Sequence, residues 1–142
     1  MKKPDFQKHA QNEFRFLVER FEFTSKYVMQ EDTSYPERSV ERVQYTSKDV
    51  MVEVSYSGRG EVDVTLDENP PSHRFELSLF IQAFHPDIWK TLGEGIANSD
   101  DEVRRELNRL ADALQRYGKP LLEHDRQVFE KMRRSTTGGV NS

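Results

Sequence analysis

Cysteine is absent from this chain. That excludes disulfides, zinc–thiolate centres and a cysteine nucleophile, and it fits a reducing compartment. Tryptophan occurs once. No segment approaches the roughly 18 consecutive apolar residues of a membrane-spanning helix. The opening Met1-Lys2-Lys3-Pro4-Asp5 carries the charge of a signal-peptide start but lacks the apolar run of about 7–15 residues that follows in one. A cytoplasmic chain with no membrane partner is the expectation. Apolar residues are also sparse, at 35% of 142 against 32% charged. Nine Phe and five Tyr compensate, because each buried aromatic side chain removes about 150–250 Å² from water. The length predicts one domain over residues 1–134, and 135–142 have the composition of a disordered C-terminal tail.

The net charge of −4 is unevenly spread. Residues 1–47 hold eight acids and eight bases, 48–102 twelve acids against four bases, and 103–142 nine bases against five acids. An acidic middle repels phosphate, which argues against nucleic acid as a partner. Arg104, Arg105, Arg109 and Arg116 share their stretch with Glu106 and Asp112, and the expected result is a solvated helical face.

Val50, Val52, Val54 and Tyr56 alternate with Met51, Glu53, Ser55 and Ser57. After Gly58-Arg59-Gly60, Val62, Val64 and Leu66 alternate with Glu61, Asp63, Thr65 and Asp67. Period two places one set in a core and the other in water, so this is a β-hairpin with a wet, acidic face. Residues 25–30 and 40–47 read as two further strands, with Tyr27, Met29, Val43 and Tyr45 inward. Phe75, Leu77, Leu79 and Ile81 suggest a fifth, although Phe80, Ala83 and Phe84 fit helical spacing equally well. Before the strands, Phe6, Ala10, Phe14, Leu17 and Phe21 form one helical stripe over 5–21 with Asp5 as N-cap; Phe16 and Val18 fall off it. After them, Ser99-Asp100-Asp101-Glu102 is a capping box. The stripe Val103, Leu107, Leu110, Ala111, Leu114, Tyr117 follows, stopped by Gly118 and Pro120. A last helix is predicted over 120–133. The fold class is α+β: an N-terminal helix, an antiparallel sheet of four to five strands, and two to three C-terminal helices packed on one face.

The residues offer little chemistry. His9, His73, His85 and His124 stand apart, with no second ligand at a metal-binding spacing; His124, between Glu123 and Asp125, reads as a salt-linked helical surface group. Gly58-Arg59-Gly60 joins two strands and is too short for a phosphate loop, and Gly93-Glu94-Gly95 precedes no strand–helix unit. No serine lies in a nucleophile elbow. No catalytic residue, metal site or cofactor is assigned, and the chain is not expected to be an enzyme. Glu61 and Asp63 share a strand face and can approach Glu53 or Asp67 across the hairpin. With Arg59 at the turn, Glu53, Glu61 and Asp63 are the candidate partner-binding residues. Solvated acids are the commoner case, and the sharper reading is a face that steers a basic partner.

Phe14-Arg15-Phe16-Leu17 leading to Phe21-Glu22-Phe23, then Tyr45-x-Ser47 and Val50-x-Val52-x-Val54-x-Tyr56, resembles the opening of small bacterial immunity-type proteins. Leu110-Ala111-x-x-Leu114-x-x-Tyr117 and Leu121-Leu122-x-x-Asp125-x-x-x-Phe129 are similar to their helical close. The resemblance rests on packing residues. It implies a compact α+β protein that occludes a cognate toxin, as a monomer or homodimer, and it assigns no binding residue. Two alternatives stand beside it. One is a small-ligand protein or enzyme with a sheet–helix cleft at His85, Asp87 and Trp89. The other is a homodimeric secretion chaperone or adaptor whose apolar patch uses Phe16 and Phe80.

Overall fold

The computed structural model describes residues 4–89 and 96–138. Asp5 caps α1 (Phe6–Glu13), its carboxylate accepting from the Lys8 amide at 3.2 Å. The single helix expected over 5–21 breaks at Phe14 and restarts as α2 (Arg15–Phe21). In a straight helix Phe16 would lie off the buried stripe. The break sets it, 7% exposed, beside the fully buried Phe14 with ring centroids 6.0 Å apart, and leaves Val18 outside. Burying an apolar ring is worth about 1.5–3 kcal/mol, against about 1 for a backbone hydrogen bond, so the break is favoured.

The sheet comprises β1 (Thr24–Gln30), β2 (Val40–Thr46), β3 (Val50–Ser57), β4 (Val62–Glu68) and β5 (Phe75–Glu76), all antiparallel and in sequence order. A 3₁₀ turn at Pro36–Arg38 lies between β1 and β2. Two rows of side chains form the inner face: Tyr27, Val43, Val54 and Val64, then Tyr45, Val52, Leu66 and Phe75. Met29 shares their parity but is 38% exposed. It sits on the edge strand, beyond the helices that cover the central strands. The β3–β4 turn needs its glycines. A Cβ on Gly58 would lie 2.2 Å from the Pro36 carbonyl oxygen, and Gly60 has φ +89°.

The fifth strand ends after two residues and continues as α3 (Leu77–Phe84), followed by α4 (Pro86–Trp89). Leu77, Phe80 and Ile81 are buried while Leu79 is exposed, so helical spacing prevails over alternation. An apolar run of this length satisfies both periods, and only the surface available to it decides. Phe80 is therefore core, as is Phe16, and neither contributes to an exposed apolar patch.

Ser99 caps α5 (Asp100–Tyr117), accepting from the Glu102 amide at 3.2 Å. Glu102 reaches back one residue further than a capping box requires, to the Asn98 amide at 3.3 Å. Val103, Leu107 and Leu114 are fully buried, and Leu110 is 9% exposed. The helix lies beside α1, with α1 over β2 and α5 over β4. The helix expected over 120–133 is divided into α6 (Lys119–Leu122) and α7 (Arg126–Gly138). His124 takes φ 55° between them, and the Asp125 carboxylate accepts from the Gln127 amide to start α7. That helix includes residues 135–138, where the sequence suggested a tail; residues 139–142 lie outside the described residues, as does the Gly93-Glu94-Gly95 segment.

His124 is not a helical surface group. Its Nε2 lies 2.8 Å from Glu68 and its Nδ1 4.0 Å from Asp49, and Arg133 also binds Glu68, tying the α6–α7 corner to the end of β4. Burial alone would raise the Glu68 carboxyl, but His124 and Arg133 outweigh it and hold it below its ordinary value. A depressed carboxyl stabilises the fold above the unfolded-state value, about 4.3, and that contribution is lost as pH falls through the folded value. Glu68→Gln is therefore expected to lower stability at pH 7 and to flatten its loss on acidification, as measured by urea denaturation at several pH values. A variant whose stability falls with pH as steeply as the parent's would contradict this.

Candidate functional site

Because α1 and α5 cover one face of the sheet, the alternate residues of every strand form an outer face that those helices leave open. Its rows run Arg42, Ser55, Asp63 and Gln44, Glu53, Thr65, Glu76 across the strands. A groove of about 500 Å³ crosses this face, lined by Arg42, Glu53, Asp63, Arg74 and Glu76, with Leu79 of α3 at its margin. The hairpin alternation foretold that Glu53 and Asp63 share this face. Arg42, Arg74 and Glu76 were not foreseen, since the registers of β2 on β3 and of β5 on β4 place them.

The two acids differ in their surroundings. Glu53 accepts from Gln44 Nε2 at 3.1 Å, binds Arg74 through its guanidinium, and has Arg42 Nε 3.7 Å away. Arg74 is itself steadied by donating from Nε to Thr65 Oγ1 at 3.2 Å. Glu53 is thus neutralised within the chain. Asp63 is half-buried, and among the described residues no basic group lies within ion-pair distance of Asp63, Glu61 or Glu76. Burial foremost, then the charges of Glu76 and Glu61, push the Asp63 carboxyl above its ordinary value. The acidic end of the groove therefore carries uncompensated negative potential, which a cation from outside can relieve.

The other two candidates lie apart from the groove. Arg59 is exposed at the tip of the β3–β4 turn and does not line it. Glu61 is also exposed, and it reaches the groove only through its charge on Asp63. Its amide and that of Arg59 both donate to Ser57 Oγ at 3.2 Å, which holds the turn. Asp67 is occupied by local structure, accepting from the Ser72 and His73 amides.

A second polar feature escaped the sequence reading. Glu41 is 8% exposed on the inner face, where Tyr27 Oη donates to it at 2.7 Å. Burial, then the bond to Glu41 and its charge, push the Tyr27 hydroxyl up to about 12. Glu41 shares the parity of Val43 and Tyr45, so an acid in an inward register was the available signal. It borders a cavity of about 520 Å³ at the Pro36 end of the sheet, with Met29, Asp32 and Tyr56.

The His85 ring packs tilted against Tyr117, with centroids 4.7 Å apart, and lies edge-on to Phe80; none of the described cavities is lined by it. Asp87 is exposed, and the Trp89 side chain lies outside the described residues. Among the described residues there is no metal-binding group of His, Asp and Glu, and no helix is long and apolar enough to cross a membrane.

Fold and site together define an α+β protein with one face of a five-stranded sheet open and charged. No protein-family model matches the chain, and neither a curated protein nor a solved structure matches it.

Proposed function

We propose that this chain is a non-enzymatic, cytoplasmic binding protein of the immunity type, which uses the outer sheet face to occlude a basic toxin domain. The observation that carries the reading is the acidic trio of Glu61, Asp63 and Glu76, left without a described base on a face the helices do not cover. Such a face attracts a basic partner at long range, and its effect falls with salt. A partner seated there would bury about 600–1,000 Å² on each side.

The test has two parts. Affinity capture from the native organism should recover one stoichiometric protein with a basic surface, and recovery of none would overturn the proposal. With that partner in hand, the Glu61→Lys/Asp63→Lys double variant should associate more slowly, and the deficit should shrink at high salt. Asp63→Asn separates binding from folding. A carboxyl whose folded-state pKa is raised makes folding less favourable as pH rises through the carboxylate range. The neutral variant should therefore be at least as stable as the parent at pH 7 while associating more slowly. Unchanged association would remove Asp63 from the interface.

A further inference from the structure

The edge of the sheet carries an inference independent of its outer face. At the β2–β3 turn the Ser47 amide donates to the Val50 carbonyl at 2.9 Å. Backbone groups alternate in direction along an antiparallel strand, so Val43 and Tyr45 turn theirs to β3, and Arg42 and Gln44 turn theirs to β1. The β1 partners of Arg42 and Gln44 are Val28 and Lys26. It follows that Lys26 and Val28 are bonded inward, and that the amides and carbonyls of Ser25, Tyr27 and Met29 point out from an edge with no strand beside it among the described residues.

Edge strands are ordinarily guarded by proline, a bulge, shortness or charge, lysine above all. β1 has one of these, Lys26 near its start; it pairs with β2 through seven consecutive residues without a bulge, contains no proline, and has no charge from Tyr27 to Gln30. We propose that the occupant of this edge is a second copy of the chain, added antiparallel about a two-fold axis at Val28.

That register is self-complementary. Tyr27 of one copy stands opposite Met29 of the other, and each such pair exchanges two backbone hydrogen bonds. Val28 meets Val28, and Lys26 meets Gln30. The apolar centre of β1 thus pairs with itself, and Met29, 38% exposed in the single chain, gains a ring to pack on. The register centred on Tyr27 would set the two Lys26 residues diagonal to each other, so charge disfavours it, and the register centred on Met29 would set Tyr27 opposite Glu31, beyond the end of β1, in place of an apolar side chain. The result is one continuous sheet running from β5 of one copy to β5 of the other, with both acidic grooves at its far ends.

Sedimentation equilibrium of the full chain over about 1 μM to 1 mM should show the mass rising from 16.7 kDa toward twice that value. Backbone amide exchange gives the signature of this edge. Tyr27 and Met29 amides should gain protection only in the concentrated sample, while Lys26 and Val28 are protected in both. Met29→Pro removes an outward amide and spares the β2 ladder, and Val28→Lys sets two lysines together on the axis. Both variants should remain monomeric where the parent dimerises. Should Met29→Pro prove unfolded by circular dichroism, Val28→Lys decides. A parent monomeric throughout, with Tyr27 and Met29 amides exchanging freely, would overturn the proposal and leave the edge to another protein's strand. A dimer that survives Val28→Lys would overturn it by placing the interface elsewhere.

Discussion

Leu114→Ala is expected to destabilise the protein by about 2–5 kcal/mol, the range for a buried leucine whose loss leaves a cavity. Leu114 is fully buried in the last turns of α5, whereas Leu110, one turn earlier, is 9% exposed and lies nearer the rim of the same stripe. Leu110→Ala should therefore fall toward the lower end of that range. Ser99→Ala offers the contrast. It removes one capping bond, to the Glu102 amide, and leaves the packing intact, for a cost of about 0.5–2 kcal/mol. Against a total stability of about 5–15 kcal/mol, the first change endangers folding and the last does not. Urea denaturation of the three variants orders them. If Ser99→Ala were the most damaging, α5 would be held by its cap rather than by the sheet, and the core described above would be wrong.

Phe14→Ala is expected to cost about 3–5 kcal/mol, the range for deleting a buried ring, and to do so at the break between two helices. The Phe14 ring is fully buried, with Phe16 6.0 Å and Tyr45 6.3 Å away between centroids. Its loss removes one of the contacts that join α1 to β2, leaving the bond from Tyr45 Oη to the Ala10 carbonyl. Without that ring, the favourable reason for breaking the helix goes too. The variant should accordingly show looser packing around Tyr45, measured as weakened near-ultraviolet ellipticity and faster amide exchange in β2, alongside the lower denaturation midpoint. A Phe14→Ala protein as stable as the parent would mean that the break is set by local backbone preference and not by the rings.

The sheet itself was legible in the chain. Strict alternation in β3 and β4, with Gly58 and Gly60 between them, corresponds to a buried face of valines and an outer face of polar groups. The α5 cap and stripe were legible for the same reason: both are local patterns, written within one or two turns of helix. The open face was likewise foreshadowed, since Glu53 and Asp63 occupy the outward parity of the hairpin. The acidic middle of the chain lies there in part, although one of its carboxylates is neutralised by Arg42 and Arg74.

Tertiary structure decided what no local pattern contains. Helical spacing ran unbroken from Phe6 to Phe21, and only the room beside Phe14 for the ring of Phe16 made the chain break there. The run from Phe75 to Phe84 fitted strand and helix equally, and packing against β4 chose the helix after two strand residues. In the groove, the neutralisation of Glu53 and the isolation of Asp63 follow from register: Arg42 comes from β2 and Arg74 from the approach to β5, some ten and twenty residues from Glu53. Periodicity tells which way a side chain faces, because it depends on backbone geometry within one strand. Which charge stands beside it is set by how separate strands align, and that alignment is fixed by burying the opposite face.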